Sequence, residues 1–277
     1  EVPARELGKF QHLSGSIFKI FSEQVHVVDP MPIEPTWNVY QIVDPHSVKP
    51  AFAVWLAVTP SNKFYVIAEF PSEPWNKLMS TVLTISDFGD EFRRIETGKH
   101  EKFHYIPQRF NVKERYGDPN MFKETQKHSG RSLQMEYFST TGLWYTIENI
   151  DNSIAVRLDR IKQLLRYDYR RPVDATNKPQ LYVFSTCRNV IMALKYFSIK
   201  KSLNGGYTYG AFEETWECPI AALGYGATTI ESWSPNKKIE STFQDDYSEI
   251  EKGRNPNYCS DPNELSFANT YSGKRMW

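Results

Sequence analysis

Apolar and polar positions first fall into a regular pattern over residues 37–70. Val39, Ile42 and Val43 lead into Asp44, and Pro45 follows, which carries no amide donor and fixes φ. Residues 51–58 are an uninterrupted apolar run, and Thr59-Pro60-Ser61-Asn62 is a turn by composition. Residues 63–70 are again β-branched and aromatic. Three strands in meander order are predicted here. Pro71 ends them, and Leu78, Met79 and Val82 share a face of a helix predicted over residues 75–85. Residues 86–107 are charged and rich in His and Lys, which reads as a loop or mobile insertion. Residues 108–116 alternate like a half-buried strand and end in Gly117-Asp118-Pro119. A helix is predicted within 121–139, and another over 153–167 from Ile154, Val156, Leu158, Ile161, Leu164 and Leu165. Residues 181–184 form a short strand, 188–197 a helix, and 196–212 a hairpin around Asn204-Gly205-Gly206. Residues 219–225 suit a last helix with Pro219 in its first turn.

The flanks read differently. Residues 1–36 hold one short amphipathic piece (Ile17, Phe18, Ile20, Phe21) before Pro30, Pro32 and Pro35, and they read as a connector. The predicted domain covers residues 37–231, and residues 232–277 read as a polar tail.

Composition narrows the possibilities modestly. A chain of 277 residues buries a full core. Its 33 Lys and Arg balance 33 Asp and Glu, so net charge neither favours nor excludes a nucleic-acid partner, for which only a local patch must be basic. The three cysteines Cys187, Cys218 and Cys259 are far apart and odd in number, which argues against a disulfide framework and fits a reducing cytosol. Their spacing does not suit zinc. No apolar run is long enough to span a membrane, and the first residues lack a secretory-signal pattern. There is no internal repeat, P-loop or dinucleotide fingerprint.

The chemistry concentrates at two Asp-Pro steps. An ionisable residue ending an apolar strand is costly unless it is paired or holds a metal, and both Asp44 and Asp118 stand at such ends. Asp before Pro is also a common turn residue. Glu69, at the end of the third strand, suits either a supporting acid or a solvated strand end. His46, two residues after Asp44, suits an outer-shell group or, more simply, a surface residue. The basic pairs and clusters at Arg93-Arg94, Arg166 with Arg170-Arg171, Lys200-Lys201 and Lys237-Lys238 suit phosphate contact or an ordinary solvated face. Tyr207 and Tyr209 suit contact with DNA or cross-strand packing.

The predicted order, three strands, helix, strand, helix, strand, helix, is that of a ribonuclease H-like α/β fold, a mixed central sheet flanked by helices, here with an extra hairpin. The chain resembles the nuclease domain of the large terminase subunit, the DNA-packaging motor of tailed bacteriophages. Five pieces in order carry the resemblance. Ala4-Arg5, Gly8, Gly15 and Ile17-Phe18 resemble the segment joining motor to nuclease. Val43-Asp44-Pro45-His46 with Lys49-Pro50 resembles the first catalytic strand, and Ile67-Ala68-Glu69-Phe70-Pro71 the acidic end of the third. Tyr116-Gly117-Asp118-Pro119 resembles the second catalytic block. Leu181-Tyr182-Val183-Phe184, with Cys187-Arg188-Asn189-Val190, Leu194 and Tyr196, resembles the fifth strand and its helix. The match departs at the last block, where the family has Asp-His, two residues and a metal-binding Asp. This chain reads Glu217-Cys218-Pro219-Ile220-Ala221, so cysteine replaces the His and alanine the ligand.

The resemblance implies a metal-dependent endonuclease cutting concatemeric double-stranded DNA during packaging. It implies Asp44 and Asp118 as catalytic ligands of two Mg²⁺ or Mn²⁺ ions, with Glu217, or Glu214 before it, as the third oxygen donor. Lys200, Lys201, Arg170 and Arg171 are the expected DNA contacts. The implied partners are the terminase ATPase domain, the small terminase subunit and the portal, in the cytoplasm of an infected bacterium, with no membrane role. No Walker motif is present, so the expectation is a nuclease domain apart from its motor, as a fragment or a separately encoded chain. The Ala221 and Cys218 positions keep open a second reading, a degenerate module that binds DNA or a packaging partner without cutting. Another nuclease of the same fold, a resolvase or transposase, fits the connector segment less well.

Overall fold

A computed structural model describes residues 15–46, 51–72, 83–100, 110–127, 129–201, 207–212 and 214–235. The three predicted strands are β2 (Asn38–Asp44), β3 (Phe52–Val58) and β4 (Phe64–Phe70). They pair antiparallel in register from Asn38↔Val58 to Asp44↔Phe52 and from Val58↔Phe64 to Ala53↔Phe70. Two parallel additions complete the sheet. β5 (Val112–Gly117) lies beside β2, and β6 (Leu181–Phe184) beside β4. With β1 (Val27–Val28), the order is β1-β6-β4-β3-β2-β5. Every residue of β3 is buried, which accounts for its unbroken apolar run, since a strand covered on both faces has no solvated positions.

Period-2 alternation sorts side chains onto the two faces. Trp55 and Phe70 point to one face, where they meet Phe92 of α2 (Ile85–Glu96) at ring separations of 5.5 Å. Below them lies a polar cluster. Arg115 of β5 donates to both oxygens of Glu96 at 2.6 and 2.7 Å and also to Gln41 Oε1. Trp55 Nε1 donates to Glu96 at 3.0 Å and the Tyr145 hydroxyl to Gln41 at 3.0 Å. This cluster ties β2, β3, β5 and α2 together. The opposite face, with Ile42 and Leu56, is covered by α7 (Glu217–Thr229), which packs in turn on α5 (Ile154–Leu164) and α6 (Arg188–Tyr196).

Most predicted elements are present, with three differences. Residues 86–107 are not all loop. α2 runs through their first half, nucleated by a capping box in which Thr84 Oγ1 accepts from Asp87 N–H and the Asp87 carboxylate accepts from Thr84 N–H. The abundance of charge there is the solvated side of an amphipathic helix. The helix predicted within 121–139 is two, α3 (Pro119–Lys123) and α4 (Leu133–Thr141). The stretch read as a connector brings Phe18 and Phe21 into the core, supplies β1 and the short α1 (Glu23–His26), and holds the buried His26 ring 2.9 Å from the Leu165 carbonyl. The hairpin pairs β7 (Ile199–Lys201) with β8 (Tyr207–Phe212), its turn lying outside the described residues. Residues 75–82 and 236–277 also lie outside them. Trp233, at the start of the predicted tail, donates from its indole to Thr36 O at 2.8 Å. Among the described residues no helix is long and apolar enough to cross a membrane.

Glu69 is not solvated, and it does not line the pocket that holds Asp44. It is fully buried, and the Asn189 and Val190 amides of the first turn of α6 donate to its two oxygens at 2.8 and 2.9 Å. Burial pushes its carboxyl up to about 8, against those amides, which favour the ionised form. A helix N-terminus held by a strand-end carboxylate fixes α6 on the sheet. Glu69→Gln sets an amide donor against one of these N–H groups, so a loss of about 1–3 kcal/mol is expected, read as a lower melting temperature. An unchanged melting temperature would contradict the clamp.

Candidate active site

Asp44 shares its face of β2 with Ile42, and Asp118 follows Tyr116 and Gly117 on the adjacent parallel strand. The register Ile42↔Tyr116 and Val43↔Gly117 carries both aspartates to neighbouring strand ends, with the Asp118 N–H donating to Val43 O at 3.2 Å. Both therefore point to the side covered by α7. Gly117 is required at the strand end, because a Cβ there would lie 2.0 Å from the Phe122 ring. Asp118 also caps α3, its Oδ1 accepting from Asn120 N–H at 2.7 Å and Met121 N–H at 3.3 Å. The turn role therefore does not remove the Asp118 side chain from the strand end beside Asp44.

The two aspartates line a pocket of about 440 Å³ together with His46, Asn152, Arg157, Glu217, Cys218, Ala221 and Tyr225. Asp44 is 7% exposed. Its carboxyl is pushed up to about 8, chiefly by burial and then by the charge of Asp118. The Cys218 thiol, as a hydrogen-bond partner, and the charge of Arg157 oppose the shift, while Glu217 adds to it. The Tyr225 hydroxyl donates to Asn152 Oδ1 at 3.1 Å and also pairs with the Asp118 carboxylate, and burial raises its phenol above the usual range.

The predicted site residues separate into groups. Asp44 and Asp118 come together. Glu217 opens α7 at the pocket rim, exposed, and acts on Asp44 through its charge. Ala221, one turn further on, presents only a methyl group to the pocket. Lys200 is exposed and paired with Glu214 at 3.2 Å, and the Lys201 side chain lies outside what the structure describes. Arg170 and Arg171 sit in the loop before β6, which runs parallel to β2 in the sheet, so that loop lies at the edge opposite the two aspartates. Arg157, Asn152 and Tyr225 are among the pocket residues that were not singled out in the sequence. Arg157 had a readable signal, because it falls on the α5 stripe of Ile154, Leu158 and Ile161, where an apolar residue is expected.

The donor chemistry suits a hard divalent cation. Mg²⁺ is commonly held by one or two carboxylates and completes its shell with water and substrate phosphate oxygens, and two adjacent carboxylates supply that much. Among the described residues no group of three His, Cys, Asp or Glu is arranged to hold a metal, so the donor set of the pocket is these two carboxylates and not a closed three-carboxylate set.

The six-stranded mixed sheet flanked by helices is a ribonuclease H-like α/β fold. The chain matches no protein-family model and no curated protein sequence. Among solved structures it is similar to the nuclease domain of the P22 large terminase, with a TM-score of 0.54 at 13% identity, over 79% of this chain and 94% of that one. It is similar also to the large terminase of the thermophilic bacteriophage D6E in complex with ATP-gamma-S, with a TM-score of 0.53 at 14% identity, over 79% of this chain and 46% of that one. The chain therefore has the fold of the large terminase nuclease domains and spans about half the length of the D6E protein.

Asp44 makes the site visible in stability. Its folded-state value near 8 lies above the ordinary ~3.9 of an unfolded Asp. Between those values the folded protein holds a proton that the unfolded chain has lost, so stability falls as pH rises from about 4 to about 8 in the absence of metal. Asp44→Asn removes this slope. Its stability relative to wild type is expected to grow by about 2–4 kcal/mol from pH 5 to pH 8, measured by denaturant unfolding in EDTA. Parallel pH profiles would show that Asp44 is not buried against Asp118.

Proposed function

We propose that this chain is the nuclease domain of a phage large terminase and hydrolyses phosphodiester bonds of double-stranded DNA with a divalent cation at Asp44 and Asp118. The observation that carries the reading is the pair of carboxylates on adjacent parallel strand ends, one of them buried, at the floor of an open pocket. Such a pair is costly in the empty state, and cation binding removes that cost. The fold shared with the P22 and D6E proteins supports it.

Asp44 and Asp118 would hold the cation, which when bound polarises a phosphoryl oxygen and makes a bound water more acidic. The protein's own groups do the positioning. Asp118 is fixed by the two α3 amides, and the Tyr225 hydroxyl, itself bonded to Asn152, pairs with it. The Cys218 thiol orients Asp44. Glu217 stands at the rim, where its carboxylate is free to accept a proton or to complete the metal shell through water. The expected cleavage is largely independent of sequence, as the likeness to packaging nucleases implies. The ATPase domain, small subunit and portal would then direct where cutting occurs.

A second reading, a module that binds without cutting, is favoured by Ala221, whose methyl group leaves the cation two protein carboxylates. Mn²⁺-supported nicking of supercoiled plasmid separates the two. Wild type is expected to nick, and Asp44→Asn to lose at least about 100-fold, since a metal ligand contributes several kcal/mol to the barrier. Ala221→Asp, one turn into α7 on the face that lines the pocket, is expected to raise both Mn²⁺ affinity and nicking. If Glu217 already completes the shell, Glu217→Gln lowers activity sharply and Ala221→Asp changes little. No nicking by any of these proteins would overturn the nuclease reading and leave the binding module to be tested by duplex binding.

A further inference from the structure

Arg157 is a buried cation without a conventional partner. It sits on the inner face of α5 at 8% exposure, and its guanidinium lies 4.2 Å from the centre of the Tyr225 ring. Nη2 reaches the Asn152 carbonyl only at 3.4 Å, and Nε is buried with no hydrogen-bond partner. Among the described residues it forms no ion pair within 4.0 Å, although its charge is felt at Asp44. The sequence accommodates it specifically: a Cβ at Gly224 would lie 2.9 Å from the Arg157 Cβ, so glycine on α7 leaves the slot through which the stem passes. A guanidinium retained for stability alone is normally paired and fully hydrogen-bonded, since an orphaned buried donor is expensive. This one instead lines the pocket beside two carboxylates.

Charge matching indicates what it awaits. One divalent cation neutralises Asp44 and Asp118. A phosphodiester then enters with a single negative charge, and Ala221 offers nothing to meet it. A planar guanidinium, always charged and forked for oxygen pairs, does. We infer that Arg157 is the phosphate-contacting residue of this pocket and does the charge-neutralising work of a second cation, so that the site takes one divalent ion. The effect on cleavage rests on the nuclease reading; the effects on DNA and metal binding do not.

Arg157→Met, similar in length and apolar, and Arg157→Lys, which keeps charge without the fork, test this. Binding of a fluorescein-labelled 20-bp duplex is measured in EDTA between 50 and 200 mM NaCl, and Mn²⁺ binding by calorimetry. Wild type is expected to bind one Mn²⁺. Arg157→Met is expected to bind duplex about 10-fold more weakly, with a salt slope smaller by about one, and to bind Mn²⁺ more tightly because a like charge has gone. In cleavage its kcat is expected to fall about 100-fold with KM moving less than tenfold, and Arg157→Lys to recover part of that loss. Two Mn²⁺ per wild-type chain, or unchanged duplex affinity and salt slope in folded Arg157→Met, overturns the inference. If Arg157→Met does not fold, a wild-type kcat in Arg157→Lys overturns it. Weakened duplex binding without cleavage by wild type leaves Arg157 assigned and removes the nuclease reading; cleavage at the wild-type rate in Arg157→Met does the reverse. A folded wild type that binds no duplex overturns both.

Discussion

Two carboxylates held side by side at the end of a covered sheet are the constraint around which this molecule is arranged. The parallel pairing of β2 with β5 fixes Asp44 beside Asp118, and α7 closes over them with Cys218 and Tyr225. Like charges in a low-dielectric setting repel, and the protein relieves this only in part: a thiol on one acid, two amides and a phenol on the other, and one guanidinium nearby. An arrangement that remains unfavourable when empty is what a cation or an incoming phosphate can exploit.

Glu69 provides an internal control. It stands near the end of β4 on the same side of the sheet as Asp44, is also buried, and burial likewise pushes its carboxyl up to about 8. The shift alone therefore does not mark a site. What separates the two is their partners: both Glu69 oxygens accept amide hydrogens from the start of α6, whereas Asp44 faces a second carboxylate and an open pocket. One acid is spent on holding a helix to the sheet, and the other is left available for chemistry.

Much of this was readable from the chain. The three-strand meander, the strand before Asp118 and the last helix follow from periodicity and from Pro and Gly punctuation, and the repeated Asp-Pro step pointed to both acids. Glu69 was harder, because its partners are amides some 120 residues away, and a strand-end acid looks the same whether solvated or buried. α2 was hidden by its charge, although Thr84 and Asp87 spelled its cap. Arg157 is masked by the apolar members of its helix, and its signal is a charge set within their stripe. Arg170 and Arg171 illustrate the converse. A basic cluster has no address in sequence, and the parallel run of β6 places this one at the far edge.

The most direct test of the central claim is a crystal of the wild-type protein soaked in Mn²⁺ and measured at the manganese absorption edge. A single anomalous peak bridging the Asp44 and Asp118 carboxylates is the predicted result. A fully soaked crystal with no peak there, or with the metal bound elsewhere on the surface, would contradict it.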